Sequence, residues 1–113
     1  MHRSLLVIAA AGLAGGLLAT SALAQQPLKG NPEAARLKIS MCTGCHGIPG
    51  YRVAYPHVYH VPKIAGQQEG YIVSALHEYK RGTRNFPTMR GIASSLSDQD
   101  IADLAAFYSG SAK

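Results

Sequence analysis

Apolar residues are distributed along this chain in two ways. From Leu5 to Leu18 they form a nearly unbroken run. Beyond Leu28 they recur at helical spacing in short stretches separated by prolines and glycines. Ala34, Leu37 and Met41 predict a helix from about Pro32 to about Thr43, with Asn31 as its N-cap, Pro32 at its first position and Glu33 facing the positive helix end. Ile72, Ala75, Leu76 and Tyr79 predict a second helix over about Glu69 to Arg81, stopped by Gly82. Ser97 with Asp100 three residues on resembles a capping box; Ile101, Leu104, Ala105 and Tyr108 follow as an inward stripe, and Gly110 marks the end. Gly44 to Gln67 holds three prolines, four glycines and three tyrosines, and reads as a long wrapping loop. Thr83 to Leu96, with Pro87 and Met89, reads as a second irregular stretch. No stretch makes a convincing strand. The pattern is all-α, three short helices joined by long loops.

The first apolar run belongs to no globular core. Met1-His2-Arg3 is a short basic start, and Ala22 and Ala24 supply the small-x-small pattern of a signal-peptidase site before Gln25. Residues 1–24 therefore read as a cleaved signal peptide, residues 25–30 as a polar leader, and residues 31–113 as one domain. The rival reading is a retained membrane anchor, because no charge occurs from Ser4 to Leu28. Gly12, Gly15, Gly16 and the polar Gln25-Gln26-Pro27 favour cleavage. Either reading puts the domain outside the cytoplasm.

Size then restricts what can stabilise that domain. A chain this short buries only about 60% of its unfolded surface, so its core is marginal without help. Two cysteines allow at most one disulfide, and at Cys42 and Cys45 it would close a loop too small to constrain the chain. A large apolar cofactor is the alternative. The formal net charge of +5, one less without Arg3, comes without any Lys/Arg run. That argues against nucleic acid and for electrostatic steering towards an acidic partner.

The chemistry lies in Cys42-Thr43-Gly44-Cys45-His46, a C-x-x-C-H motif that attaches haem c. Thiols at i and i+3 on a helical turn can add to two vinyl groups along one porphyrin edge, and the adjacent histidine then reaches the iron. A zinc site would use His57, His60 or His77 but leaves His46 beside Cys45 unexplained. A thioredoxin-like pair would need a strand–helix setting that this sequence lacks. Candidates for the sixth ligand are Met89, His57, His60 and His77, or the position is open. Met89 leads, because it sits in a loop beside Pro87, Arg90 and Gly91, where core filling is a poor role. Met41, directly before Cys42, reads as core on the proximal side. Methionine sulfur suits ferrous iron, and two strong axial bonds favour electron transfer over catalysis.

Residues 31–110 resemble a class I bacterial cytochrome c, most closely one half of the di-haem periplasmic type. The matching pieces are the Cys42–His46 motif, Pro62-Lys63-Ile64-Ala65-Gly66-Gln67, Tyr71 with Leu76, Lys80-Arg81-Gly82-Thr83-Arg84, Met89, and Leu96-Ser97-Asp98 leading to Leu104-Ala105-Ala106-Phe107-Tyr108. The resemblance implies the small class I cytochrome c fold, three main helices and long loops around one covalent haem. It implies thioethers at Cys42 and Cys45, iron ligation by His46 and Met89, and a Pro62 carbonyl accepting the His46 ring N–H. Ala34, Leu37, Leu104 and Tyr108 would lie where the first and last helices cross. The Tyr51, Tyr55, Tyr59, His57 and His60 stretch departs from the family pattern; the tyrosines read as packing over the haem edge more than as propionate partners, and the histidines as exposed. Arg84 and Arg90 read equally as propionate partners or a solvated face, and Lys63, Lys80 and Arg81 as a candidate docking patch.

The implied protein is a periplasmic electron carrier, not an enzyme. It would work between a membrane quinol-oxidising complex and a terminal oxidase or reductase. The alternative is a haem subunit or dedicated acceptor of a periplasmic dehydrogenase. A ligand-binding or catalytic haem protein with an open sixth site is a further reading.

Overall fold

The computed structural model describes residues 26–111; the predicted signal segment lies outside them. Five helical segments and one small hairpin follow in order: α1 (Pro32–Ala35), α2 (Ser40–His46), β1 (Arg52–Val53), β2 (Tyr59–His60), α3 (Glu69–Arg81), α4 (Pro87–Ser94) and α5 (Asp98–Gly110). The α5 helix packs against α1 and α3, and α4 packs on α3.

The two long helices form where the sequence predicts them because their ends are encoded locally. Glu69 begins α3, and Gly82 ends it in the left-handed conformation at φ 84°. At the start of α5 the Ser97 hydroxyl accepts from Asp100 N (3.1 Å), while Ser97 N donates to the Asp100 carboxylate (2.9 Å). This reciprocal pair satisfies two amides that the helix itself leaves open. Ile101, Leu104, Ala105 and Tyr108 are all buried as predicted, and Ile101 and Leu104 are the largest fully buried side chains among the described residues.

Four expectations are overturned. The first helix does not run unbroken to Thr43: it stops at Ala35, turns through Arg36–Ile39 and resumes through His46. Its inward stripe is also displaced by one residue. Ala35 is buried, with Ile39 and Cys42 against the core, while Leu37 is 88% exposed and Met41 is half-exposed. Two apolar registers interleave here, and the one carrying β-branched Ile39 wins the core. The expected irregular stretch after Thr83 contains α4 instead. Pro87 starts that helix, with its missing N–H where a helix has no use for one, and Met89, Ile92, Ala93 and Leu96 follow at helical spacing. The long loop after Gly44 contains the hairpin, pairing Arg52 with His60 and Val53 with Tyr59. Strands of two residues are too short for alternation to reveal them.

The leader is tied to α5. Asn31 N donates to the Asp103 carboxylate at 2.7 Å, and Gln99 bonds both that carboxylate and Lys29 O. Gly30 crosses so close that a Cβ there would lie 2.2 Å from Ala102 O. On the other side, Lys80 clamps α3 to α5, donating to Leu96 O (2.8 Å) and to Asp98 (3.0 Å). Residues of α2, α3, α4 and α5 line a common space.

Candidate haem-binding site

That space is a mostly apolar cleft of about 340 Å³. One wall is α2, whose final residues are the C-x-x-C-H motif; Cys42, Cys45 and His46 all line the cleft. Residues 42 and 45 lie one helical turn apart, so both thiols reach the same side. Neither cysteine is disulfide-bonded. Burial pushes the Cys42 thiol above its ordinary range, and the neighbouring Tyr108 hydroxyl only partly opposes this. The Tyr108 hydroxyl is itself buried without a hydrogen-bond partner of standard geometry.

His46 is oriented from outside α2. Its Nδ1 lies 2.7 Å from the carbonyl oxygen of Pro62. A carbonyl only accepts, so Nδ1 carries the proton and Nε2 keeps its lone pair for the cleft. Pro62 is well chosen for this, since it offers an acceptor and no amide donor. The loop that carries it is pinned further on by Gly66 N donating to Tyr108 O at 2.8 Å.

Met89 enters from α4 and lines the same cleft, half-buried. Met41 also lines it, although the sequence reading made Met41 a core residue. His57, His60 and His77 do not line it: the first two are exposed on the hairpin, and His77 is half-buried on α3. The aromatic hairpin covers one side, with the Tyr59 ring 5.2 Å from Phe86 and His57 edge-on to both. Tyr59 is half-exposed and packs on Phe86, whereas Tyr55 is 84% exposed. Phe86 was not singled out in the sequence; nothing local distinguishes it. Of the basic residues, Lys63 and Arg84 line the cleft, Arg81 and Arg90 are exposed, and Lys80 is engaged with Leu96 O and Asp98, which removes it from a free docking patch.

The donor set and the lining fit a haem: two thiols and an imidazole from α2, a thioether from α4, and apolar side chains such as Ile72, Leu76 and Leu104, all lining one cleft. Residues 33–110 match the family model for cytochrome c. The chain belongs to the cytochrome c family. This cytochrome is 40% identical to cytochrome c4 of Pseudomonas aeruginosa over 79 residues, which cover 70% of this chain and 37% of that one. It is also 40% identical to cytochrome c-554(548) of Halomonas halodenitrificans, covering 71% of this chain and 95% of its relative. The solved structure of a cytochrome c4 from Acidithiobacillus ferrooxidans superposes with a TM-score of 0.56 at 27% identity, over 74% of this chain and 51% of that one. The chain thus spans less than half the length of the Pseudomonas cytochrome c4 and nearly all of the Halomonas protein. It has the class I c-type fold and carries covalently bound haem. No helix among the described residues is long and apolar enough to cross a membrane.

Proposed function

We propose that this cytochrome is an exported, periplasmic carrier of single electrons. In this reading Cys42 and Cys45 are the thioether anchors, His46 and Met89 the axial ligands, and Pro62 the residue that orients His46. Residues 1–24 are its cleaved signal and residues 31–113 its working domain. It would take electrons from a membrane quinol-oxidising complex and pass them to a terminal oxidase or reductase. One observation carries the reading: the motif thiols, a histidine already held in the Nδ1–H tautomer, and Met89 all line a single apolar cleft.

The bound haem supplies a one-electron ferric/ferrous couple. His46 offers Nε2 as a strong donor because its proton is held at Nδ1 by Pro62 O. Met89 offers a soft sulfur, which favours the ferrous form. The mostly apolar lining from α3 and α5 would give a bound haem a surround of low polarity. Were His46 and Met89 both bound to the iron, they would leave oxygen and peroxide no position there. The positive charge of the chain steers it towards an acidic partner surface.

The test is the visible spectrum of protein matured in an export-competent host, together with that of Met89→Ala. A covalent haem spectrum with the weak far-red band of ferric methionine–haem is expected. That band should vanish in Met89→Ala, which should bind carbon monoxide and have a lower midpoint potential. A native band and potential in Met89→Ala would refute the ligand assignment. A dehydrogenase that stays bound through gel filtration would replace the freely diffusing carrier with a subunit.

A further inference from the structure

The hairpin after α2 has an outer face to which the haem reading gives no task. Side chains alternate across a two-stranded ribbon, and the register here pairs Val53 with Tyr59 and Arg52 with His60. Val53 and Tyr59 line the cleft, whereas Arg52 and His60 do not line it and are exposed. The tip between the strands carries Tyr55 and Val58, 84% and 67% exposed, and Tyr59 is 50% exposed although it also lines the cleft. Single apolar side chains on a surface are ordinary. A cluster of them at one projecting tip marks an interaction site.

The charge around that tip has one sign. From Ala34 to Gln68 the chain holds Arg36, Lys38, Arg52 and Lys63 and no Asp or Glu. Arg36 and Lys38 are paired with Glu33 and Asp100. Arg52 on the hairpin and Lys63 at its foot meet no carboxylate among the described residues. An apolar tip with an uncompensated basic flank is complementary to a protein face that has an apolar spot bordered by carboxylates. A second copy of this chain would instead bring like charge to like. An anionic membrane calls for a denser cluster, of about four to eight Lys or Arg, than Arg52 and Lys63 provide.

We propose that the tip and outer face of the hairpin, with Lys63 at its foot, are the docking surface for an electron-exchange partner protein whose contact face is an apolar spot bordered by Asp and Glu. This rests on the electron-carrier reading given above. Tyr55 and Val58 are the apolar anchors, and Arg52 and Lys63 steer and orient the partner. One ribbon separates that partner from the cleft, because Val53 and Tyr59 form its inner face. The Tyr59 ring lies 5.2 Å from that of Phe86, which directly precedes α4 and its Met89. A single electron passes between the haem iron and a one-electron centre of the partner, with no bond made or broken.

The experiment uses haem-loaded protein on gold coated with a mixed monolayer of carboxylate- and methyl-terminated alkanethiols, a surface of the stated chemistry. Binding is read by quartz microbalance and electron exchange by voltammetry. Wild type is compared with Arg52→Gln/Lys63→Gln and with Tyr55→Ser/Val58→Ser. Arg81→Gln/Arg90→Gln is the control, since it removes the same amount of charge from α3 and α4. Arg52→Gln/Lys63→Gln is expected to bind about tenfold more weakly at low salt, and the difference should shrink as salt is raised. Tyr55→Ser/Val58→Ser is expected to lose about tenfold on the mixed layer and little on a pure carboxylate layer. The control should stay within about twofold of wild type. A loss as large in the control as in Arg52→Gln/Lys63→Gln would overturn the proposal, because net charge alone would then account for binding. So would wild-type binding of the mixed layer by Tyr55→Ser/Val58→Ser. Should that variant not fold, shown by loss of the native far-red band, the two charge variants decide. Flotation with phosphatidylglycerol vesicles that depends on Arg52 and Lys63 would also overturn it, as would a dimer in sedimentation that Tyr55→Ser/Val58→Ser dissociates. Failure of the carrier reading shows separately, as haem-loaded protein that binds the mixed layer through the hairpin yet exchanges no electrons with the gold.

Discussion

At the scale of single residues, Asp103 is the buried charge with the clearest purpose. It is 4% exposed, accepts from Asn31 N and Gln99, and so fixes the start of the domain to α5. The Asn31 amide, then Gln99, hold its carboxyl below the usual aspartate range. Since the folded state prefers the ionised form, Asp103 stabilises the fold at pH values above the ordinary carboxylate range of about 4, and that contribution is lost as pH falls through its folded pKa. Glu78 and Asp98 are lowered in the same direction by their pairing with Arg84 and Lys80. Asp103→Asn keeps the Oδ1 acceptor and loses the charge. It is expected to cost about 1 kcal/mol near neutral pH. Thermal melts at pH 7 and pH 3.5 check this: the gap between variant and wild type should narrow at the acid value. A gap that stays constant would mean that the carboxylate charge contributes nothing.

At the scale of elements, what could be read from the sequence depended on whether the signal was local. The α3 and α5 helices were legible almost to the residue, because Gly82 and the Ser97–Asp100 box carry their boundaries with them. The α4 helix was missed since Pro87 and Gly91 both read as loop residues, although proline also opens helices. The α1 stripe was misread because Ala34-Leu37-Met41 and Ala35-Ile39-Cys42 are equally apolar, and only the packing on α5 chooses between them. The same holds for the site. The C-x-x-C-H motif is contiguous and was plain, whereas the Pro62 contact with His46 was available only by resemblance. The approach of the Arg84 guanidinium to the Tyr71 and Tyr79 rings, 5.5 and 5.6 Å from their centroids, depends on the chain reversal at Gly82 and was not visible at all. The α1–α5 crossing makes a prediction of its own. A Cβ on Gly30 would meet Ala102 O at 2.2 Å and Ala106 Cβ at 2.8 Å, and the first of these is helix backbone that cannot turn aside. Gly30→Ala should destabilise by about 1–3 kcal/mol. Gly91→Ala is the control: it lies within α4 with nothing within 4 Å of the added carbon, and should stabilise by up to about 1 kcal/mol. Denaturant midpoints of the two variants should therefore move in opposite directions; a Gly30→Ala midpoint at or above that of wild type would show that the crossing tolerates a methyl group.

At the scale of the whole molecule, the protein's own core is too small to account for a stable domain. Ile101 and Leu104 are the largest fully buried side chains among the described residues, and other buried positions such as Ala35, Ala93 and Ala105 contribute little apolar area. Ile72, Leu96, Leu104 and Tyr108 belong at once to this core and to the lining of the cleft. Core and cleft therefore share side chains, and a haem held in the cleft would extend that core. Ligand binding that is confined to the folded state stabilises that state, and a covalent link makes the stabilisation independent of concentration. Replacing both Cys42 and Cys45 with alanine keeps the helix propensities and every salt bridge but removes the attachment. The double variant is expected to lose its cooperative thermal transition at 25 °C and above and to show reduced far-ultraviolet ellipticity, while wild type keeps both. Restoring one thiol, as in Cys42→Ala alone, should restore part of the transition in proportion to the fraction of chains that retain haem. A double variant that melts cooperatively with wild-type helix content would mean that the small cluster around Ile101 and Leu104 suffices by itself, and that the cleft is preformed rather than completed by the cofactor.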